Sequence, residues 1–182
     1  DTDGDPATPR IATGIVDVME GTEFSINYYL TESELHTKVS DIVIESLGQC
    51  GIKVNRTFLG VEEMYKTGEN APVFGRNFDL AELAWSTGRQ PPCFLFSSSE
   101  IPTAENSWLG SKYGGVNFSG YSNTEYDQVC AALLSSGLNG DLYLANSIRT
   151  QEILAVDLPV LPLLYHVKAM VSRPDLCGLS LD

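Results

Sequence analysis

The chain has 182 residues, of which 43% are hydrophobic and 19% are charged, so it can bury the core of one domain spanning residues 1–182. Its formal net charge of −13 argues against nucleic acid as a partner, because phosphate contacts need clustered Lys and Arg. No stretch approaches the roughly 20 apolar residues of a membrane helix. No signal-peptide pattern opens the sequence, and we expect any export signal to lie upstream of it.

The first half of the chain predicts alternating strands and helices. Residues 23–30 and 52–59 alternate as strands do, and residues 78–85 form a third, mainly buried strand. Residues 31–34 fit a capping box with Thr31 as N-cap, and a short helix is predicted at 61–65. The helix after the capping box carries one apolar stripe, formed by Leu35, Val39, Ile42, Val43 and Leu47. This order predicts an α/β fold with a mixed, mostly parallel sheet flanked by helices.

The second half begins with an irregular stretch over residues 86–122, rich in Pro, Gly and Ser, which is typical of a functional loop. A helix is predicted at 125–134 with Asn123 as N-cap, and a last strand at 163–171. Another helix is predicted at 141–156, with an inner face formed by Leu142, Ala145, Ile148, Ile153 and Val156.

The four cysteines are too far apart for a zinc-ribbon spacing. In an exported protein they permit two disulfides with three possible pairings, of which we favour Cys93–Cys130 with Cys50–Cys177. Buried free thiols that act as small hydrophobic residues are the alternative.

The sequence predicts neither a metal site nor a cofactor. The acidic residues at positions 1–5 are spaced like those of a calcium loop, but Pro6 stands where an EF-hand needs Gly. The two histidines, His36 and His166, lie on different predicted elements, and spacing assigns neither of them a carboxylate partner. We expect a surface position for His36 and a strand position for His166.

The candidate ligand site follows the third predicted strand. Trp85 stands at its C-terminal end, where ligands bind in open α/β sheets, and an indole supplies both apolar area and an N–H donor. Ser86 and Thr87 add hydroxyl groups, and Arg89 adds a forked donor suited to carboxylate. Glu82, on the other strand face, is a less direct candidate contact.

Several segments resemble, in order and spacing, the C-terminal half of extracellular solute-binding proteins of the peptide/nickel-binding family (family 5). These proteins are the receptors of ABC importers. The similar segments are Asp1-Thr2-Asp3-Gly4-Asp5, Leu47 with Gly51-Ile52 and Val54, Phe78-Asp79 with Trp85, Gly120-Tyr121-Ser122-Asn123 with Asp127, Gln151-Glu152-Ile153-Leu154, Leu158-Pro159-Val160-Leu161-Pro162-Leu163, and Arg173-Pro174-Asp175 with Gly178-Leu179.

The resemblance implies a periplasmic-binding-protein-like lobe, the C-terminal one of a bilobed receptor whose N-terminal lobe lies outside this sequence. It implies a solute or peptide ligand, membrane permease partners, no catalysis, and an extracytoplasmic location in the periplasm or as a cell-surface lipoprotein. In peptide-binding members a W-x-x-D motif supplies an Asp that pairs with the peptide amino group. Trp85 matches that motif, but Gly88 stands at the Asp position.

Two alternatives remain at this point. The first is a receptor of the same family for a non-peptide solute such as an oligosaccharide, which Gly88 and Arg89 favour. The second is a small hydrolase in which Glu82, Glu100 and Glu105 provide a general acid and base, although nothing in their spacing selects a pair.

Overall fold

A computed structural model describes residues 8–85, 92–109, 116–137 and 140–164. None of the helices in these ranges is long and apolar enough to cross a membrane. The elements are, in chain order, β1 (Ser25–Thr31), α1 (Glu34–Gln49), β2 (Lys53–Leu59), α2 (Val61–Met64), β3 (Leu80–Ala81), α3 (Cys93–Phe96), α4 (Thr124–Ser135) and α5 (Asp141–Asp157), with short 3₁₀ turns at Ser98–Glu100 and Ala104–Asn106.

The three strands form a parallel sheet in the order β2-β1-β3, as the strand–helix alternation predicts. The third strand is much shorter than the predicted 78–85, however. Main-chain hydrogen bonds to β1 end with Glu82 N, which donates to Tyr29 O at 2.9 Å. Phe78 and Leu83, on either side of β3, are partly buried and pack against an apolar cluster.

The prediction of Thr31 as the N-cap of α1 is wrong by two residues. Thr31 is the last residue of β1, where its backbone pairs with Leu59. The N-cap is Ser33, whose hydroxyl oxygen accepts a hydrogen bond from His36 N at 3.0 Å. The helix therefore begins only after the chain has left the sheet, and Ser33 satisfies one of the free N–H groups of its first turn.

The predicted apolar stripe of α1 is only partly correct. Leu35 is exposed, and Ile42 is 65% exposed. The fully buried residue of this helix is Ser40, whose hydroxyl accepts a hydrogen bond from Arg56 Nη1 of β2 at 2.7 Å. The buried face of α1 is thus turned away from Leu35 and Ile42. It includes three residues of the predicted stripe, which are partly buried: Val39, Val43 and Leu47.

A helical region of α3, α4 and α5 packs around a second apolar cluster. Asn123 caps α4 as predicted, because its side-chain oxygen accepts from Tyr126 N at 3.1 Å. The disulfide Cys93–Cys130 is also confirmed, and it joins α3 to α4 with the two Cα atoms 5.8 Å apart. The cluster contains Cys93, Tyr126, Cys130, Leu133 and Ile153.

The predicted inner face of α5 is largely wrong. Of its five residues only Ile153 is buried, whereas Leu142 and Val156 are 73% and 81% exposed. Apolar residues occur all round this helix, so their period does not select one side. The side that is buried includes Thr150, whose hydroxyl donates to Ser147 O of the same helix at 2.8 Å.

The second predicted disulfide cannot be followed. Cys50 is exposed and has no disulfide partner in the described part of the chain. Its predicted partner, Cys177, and most of the predicted last strand at 163–171 lie outside the described residues. Residues 163–164, which are described, are not in a strand.

Candidate functional site

Trp85 lies just beyond the carboxyl end of the parallel sheet, where the chain leaves β3. Its ring packs against the ring of Phe118, with centroids 5.6 Å apart and planes inclined by 32°. Phe118 is itself buried and meets the ring of Phe74 edge to face at 4.8 Å. Trp85 is nevertheless 44% exposed, so the indole rests on the core with one part and offers the remainder to solvent.

The Phe118 platform belongs to the first apolar cluster, which fills the space beneath the sheet's carboxyl edge. Its buried members are Met64, Ala71, Val73, Phe74 and Phe118, and Ala81 of β3 packs against them. The position of Trp85 is therefore set by residues from α2, β3 and two connecting segments.

Glu82 points into the protein rather than into solvent, and its side chain is only 9% exposed. Its Oε2 accepts a hydrogen bond from the Tyr28 hydroxyl at 2.6 Å, and its Oε1 is 4.0 Å from His36 Nε2. Burial, and then the hydrogen bond to the Glu82 carboxylate, raise the pKa of Tyr28 well above its usual range. Tyr28 therefore remains a neutral donor, and it holds one oxygen of Glu82 in place.

His36, whose side chain is 22% exposed, completes this partly buried polar group, so the surface position predicted for it is only partly correct. Its Nδ1 is 2.9 Å from the carbonyl oxygen of Thr31 and 3.1 Å from the Thr31 hydroxyl. Spacing assigned His36 no carboxylate, yet Glu82 is beside it. The two residues meet because β3 pairs with β1 in parallel, which brings the ends of distant segments to one edge. Only the pairing of the strands could have predicted this contact.

The remaining candidate ligand contacts lie outside the described residues: Ser86, Thr87 and Arg89. The same holds for His166 and for the acidic residues 1–5. Of the other two carboxylates proposed for a hydrolase, Glu100 is fully buried and Glu105 is exposed. Within the described ranges, no group of three or more His, Cys, Asp or Glu side chains is placed to hold a metal ion.

The segment from Gly120 to Asp127 joins structural elements to one another. Asp157, at the end of α5, accepts hydrogen bonds at Oδ2 from the Tyr121 hydroxyl at 2.5 Å and from Asn123 Nδ2 at 2.8 Å. These two hydrogen bonds lower the pKa of Asp157, and partial burial together with the carboxylate raises the pKa of Tyr121 to about 12. One turn further on, Asp127 accepts from Ser97 Oγ and from Ser98 N, both at 3.0 Å.

Comparison with known proteins places this geometry in context. No family model matches the chain. The peptide transport periplasmic protein SapA of Salmonella typhimurium is 29% identical to it over 149 residues, which cover 80% of this chain and 24% of SapA. The resemblance to the peptide/nickel-binding family is thereby confirmed.

Solved structures agree on the fold. The oligopeptide-binding protein AppA from Bacillus subtilis, in complex with a nonapeptide, superposes with a TM-score of 0.59 at 20% identity, over 82% of this chain and 28% of AppA. The periplasmic murein tripeptide-binding protein MppA superposes with a TM-score of 0.57 at 17% identity, over 78% of this chain and 24% of MppA. NikA from Brucella suis, in complex with Fe(III)-EDTA, superposes with a TM-score of 0.53 at 18% identity, over 86% of this chain and 29% of NikA.

Two conclusions follow from these matches. The predicted fold, a periplasmic-binding-protein-like parallel sheet flanked by helices, is confirmed. The chain spans about a quarter of the length of the relatives that it matches, so it corresponds to one part of each of them.

Proposed function

We propose that this chain is a ligand-binding lobe of the substrate receptor of an ABC importer of the peptide-uptake type. The lobe closes on its ligand together with the rest of the receptor by a hinge motion, and it performs no catalysis. The observation that carries the proposal is Trp85, a half-exposed indole on a buried aromatic platform at the carboxyl edge of a parallel sheet. That edge is where ligands bind in open α/β sheets.

The proposed contacts are Trp85 together with Ser86, Thr87 and Arg89 on the segment that follows it, and Glu82. Trp85 supplies apolar area and an N–H donor to an extended ligand. Glu82 presents one carboxylate oxygen, Oε1, beside His36, since Tyr28 already occupies the other. The proposed role of Glu82 is therefore to accept a hydrogen bond from a ligand group that passes His36.

A peptide is the ligand class that the relatives favour, because SapA is described as a peptide transport protein and AppA binds a nonapeptide. A non-peptide solute such as an oligosaccharide is the second candidate. It is favoured by Gly88, which stands where peptide-binding members place the Asp for the ligand's amino group. An ammonium group buried without a carboxylate would be strongly destabilising.

The test uses the full-length protein and begins with mass spectrometry of any ligand that co-purifies with it. Affinity is then measured by calorimetry with alanine-based peptides of two to nine residues. Truncation of an aromatic anchor typically costs about 2 kcal/mol or more, so Trp85→Ala should weaken binding roughly thirtyfold. Trp108→Ala, at the chain's other tryptophan, is the matched control and should leave the affinity unchanged. Equal affinities for Trp85→Ala and the unaltered protein would refute the site.

The absence of catalysis has its own test. The same peptides, and a set of oligosaccharides, are incubated with the protein and followed by mass spectrometry. We expect them to be recovered intact. Turnover that disappears in Glu82→Gln, Glu100→Gln or Glu105→Gln would favour the hydrolase instead.

The proposed partners are the permease subunits of an importer, and the proposed location is outside the cytoplasm, in the periplasm or on the cell surface as a lipoprotein. The relatives SapA and MppA are described as periplasmic. Co-purification of permease subunits with the tagged full-length protein, and its recovery in the periplasmic or membrane-anchored fraction, test both statements.

A further inference from the structure

We propose that Asn117 is a positioning residue for the ligand site, although it does not reach the cleft. Through its neighbour Phe118 it sets the orientation of the Trp85 indole, so that affinity depends on a buried amide. The inference rests on the proposed function, in which Trp85 contacts the ligand. What it adds is a determinant of affinity that lies behind the contact residue.

The Asn117 side chain is fully buried and makes four hydrogen bonds. Its Nδ2 donates to Ser97 O at 3.0 Å and to Tyr121 O at 2.8 Å. Its Oδ1 accepts from Ser119 Oγ at 2.9 Å and from Tyr121 N at 3.3 Å. An amide has two donor hydrogens and two acceptor lone pairs, so this set uses its whole capacity. No other side chain of this size can make the same set.

The main chain of Asn117 is fixed as well, because its N donates to Glu100 O at 2.9 Å. Side chain and backbone together tie residues 117–121 to the segment 97–100. The ring of Phe118 is the next group along the chain. The hydrogen bonds of Asn117 therefore help to orient the Phe118 ring. If the backbone at Asn117 rotated, the Phe118 ring would leave its edge contact with Phe74.

The partner segment is held from the other side by α4. Asp127 accepts hydrogen bonds from Ser97 and Ser98, and the disulfide Cys93–Cys130 joins α3, which leads into this segment, to the next turn of α4. Asn117 consequently connects two bodies, the disulfide-linked helices and the aromatic platform beneath Trp85. Closely packed interiors transmit small displacements instead of absorbing them, so a change at Asn117 reaches the indole.

The experiment compares Asn117→Asp with Ile153→Val in the full-length protein. Asn117→Asp keeps the shape of the side chain but removes both donors. Ile153→Val shortens a buried side chain in the second cluster and leaves the platform untouched. Both proteins are labelled with 5-fluorotryptophan, and the Trp85 resonance is assigned with Trp85→Phe. We expect Asn117→Asp to shift or broaden that resonance and Ile153→Val to leave it in place.

Affinity for the alanine-based peptides is measured on the same samples, well below their unfolding temperatures. We expect a loss of about tenfold for Asn117→Asp and none for Ile153→Val, since a displaced anchor loses part of its contact. Ser119→Ala, which removes a single exposed partner of Asn117, should show the same effects at smaller size, and it replaces Asn117→Asp if that variant does not fold.

The outcomes separate this inference from the proposed function. An unchanged Trp85 resonance in both Asn117→Asp and Ser119→Ala would show that Asn117 only stabilises the fold. Affinity lost in Trp85→Ala but kept in Asn117→Asp overturns the positioning role alone. Affinity kept in Trp85→Ala overturns the ligand site itself, whatever the resonance shows.

Discussion

The sheet edge around Trp85 and the helical region of α3, α4 and α5 are stabilised in different ways. The sheet edge depends on stacked aromatic rings and leaves its outermost ring half exposed. The helical region is tied by a disulfide and by carboxylates that each accept several hydrogen bonds, at Asp127 and Asp157. Two of the segments that resemble the family, Gly120–Asp127 and Gln151–Leu154, lie mainly in the helical region, and a third, Phe78-Asp79 with Trp85, lies at the sheet edge. Resemblance to the family therefore does not separate the residues that support the fold from those proposed to contact the ligand.

Among these contacts, the disulfide should contribute most to the free energy of unfolding. It closes a loop of 37 residues, for which chain entropy alone gives about 4 kcal/mol of stabilisation. We expect the double variant Cys93→Ser, Cys130→Ser to lower the free energy of unfolding by that order in urea titrations. Ala131→Ser, at an exposed position of α4 next to Cys130, is the control and should cost less than about 1 kcal/mol. A double variant as stable as the unaltered protein would remove the contrast between the two regions.

The Asp127 carboxylate should make the next largest contribution to the free energy of unfolding. Asp127→Ala removes the charged acceptor of Ser98 N and of the Ser97 and Ser98 hydroxyls, which should cost about 2 kcal/mol. Glu125→Ala on the same helix is the control. It removes an exposed ion pair with Arg149, which should contribute less than about 1 kcal/mol. Equal effects in urea unfolding would mean that Asp127 is only another surface carboxylate.

A smaller effect is expected at the start of α1, in the sheet region. Ser33→Ala removes the N-cap and should cost about 1 kcal/mol. Thr37→Ala, on the same helix, keeps the cap and serves as the control. A neutral Ser33→Ala would contradict the capping hydrogen bond from His36 N to the Ser33 hydroxyl.

The smallest effect concerns pH at the junction of α4 and α5. The pKa of Tyr121 is raised to about 12, so the neutral phenol stabilises the folded state below pH 10, and this contribution disappears as pH rises from 10 to about 12. The pKa of Asp157 is lowered, so its contribution is present above the carboxyl's ordinary pKa and is lost as pH falls through the folded value.

We therefore expect Tyr121→Phe to reduce the dependence of unfolding temperature on pH at both extremes. Tyr143→Phe, on α5, provides the comparison. The difference in tyrosinate absorbance between the unaltered protein and Tyr121→Phe, followed across alkaline pH, isolates Tyr121 from the other tyrosines. A normal titration of Tyr121 near pH 10 would contradict the hydrogen bond to Asp157.

Local pattern was sufficient for most elements of the fold. Helical period placed α1, α4 and α5 within a few residues, and alternation placed β1 and β2. Local pattern failed to predict which face of a helix is buried, because tertiary contacts decide that. Apolar residues on several sides of α5 left its buried face undetermined, and on α1 the buried face includes Ser40, a polar residue that contacts Arg56 of β2.

The candidate site was less predictable for the same reason. The sequence identified Trp85 from its place after a strand, but not its platform, because Phe118 comes from a distant segment. The contacts of Glu82 with Tyr28 and His36 likewise depend on the register between β1 and β3. Partners across a sheet cannot be predicted from spacing along one chain.

The disulfide between α3 and α4 also determines where this chain can complete its folding. Cytosolic thiols are kept reduced, so a polypeptide made there carries Cys93 and Cys130 as a dithiol. The helical region then lacks its covalent link until the chain meets an oxidising compartment. Maturation is therefore coupled to arrival in an oxidising compartment, and production in a reducing cytoplasm should yield a less stable protein that air or an oxidoreductase can convert to the mature form.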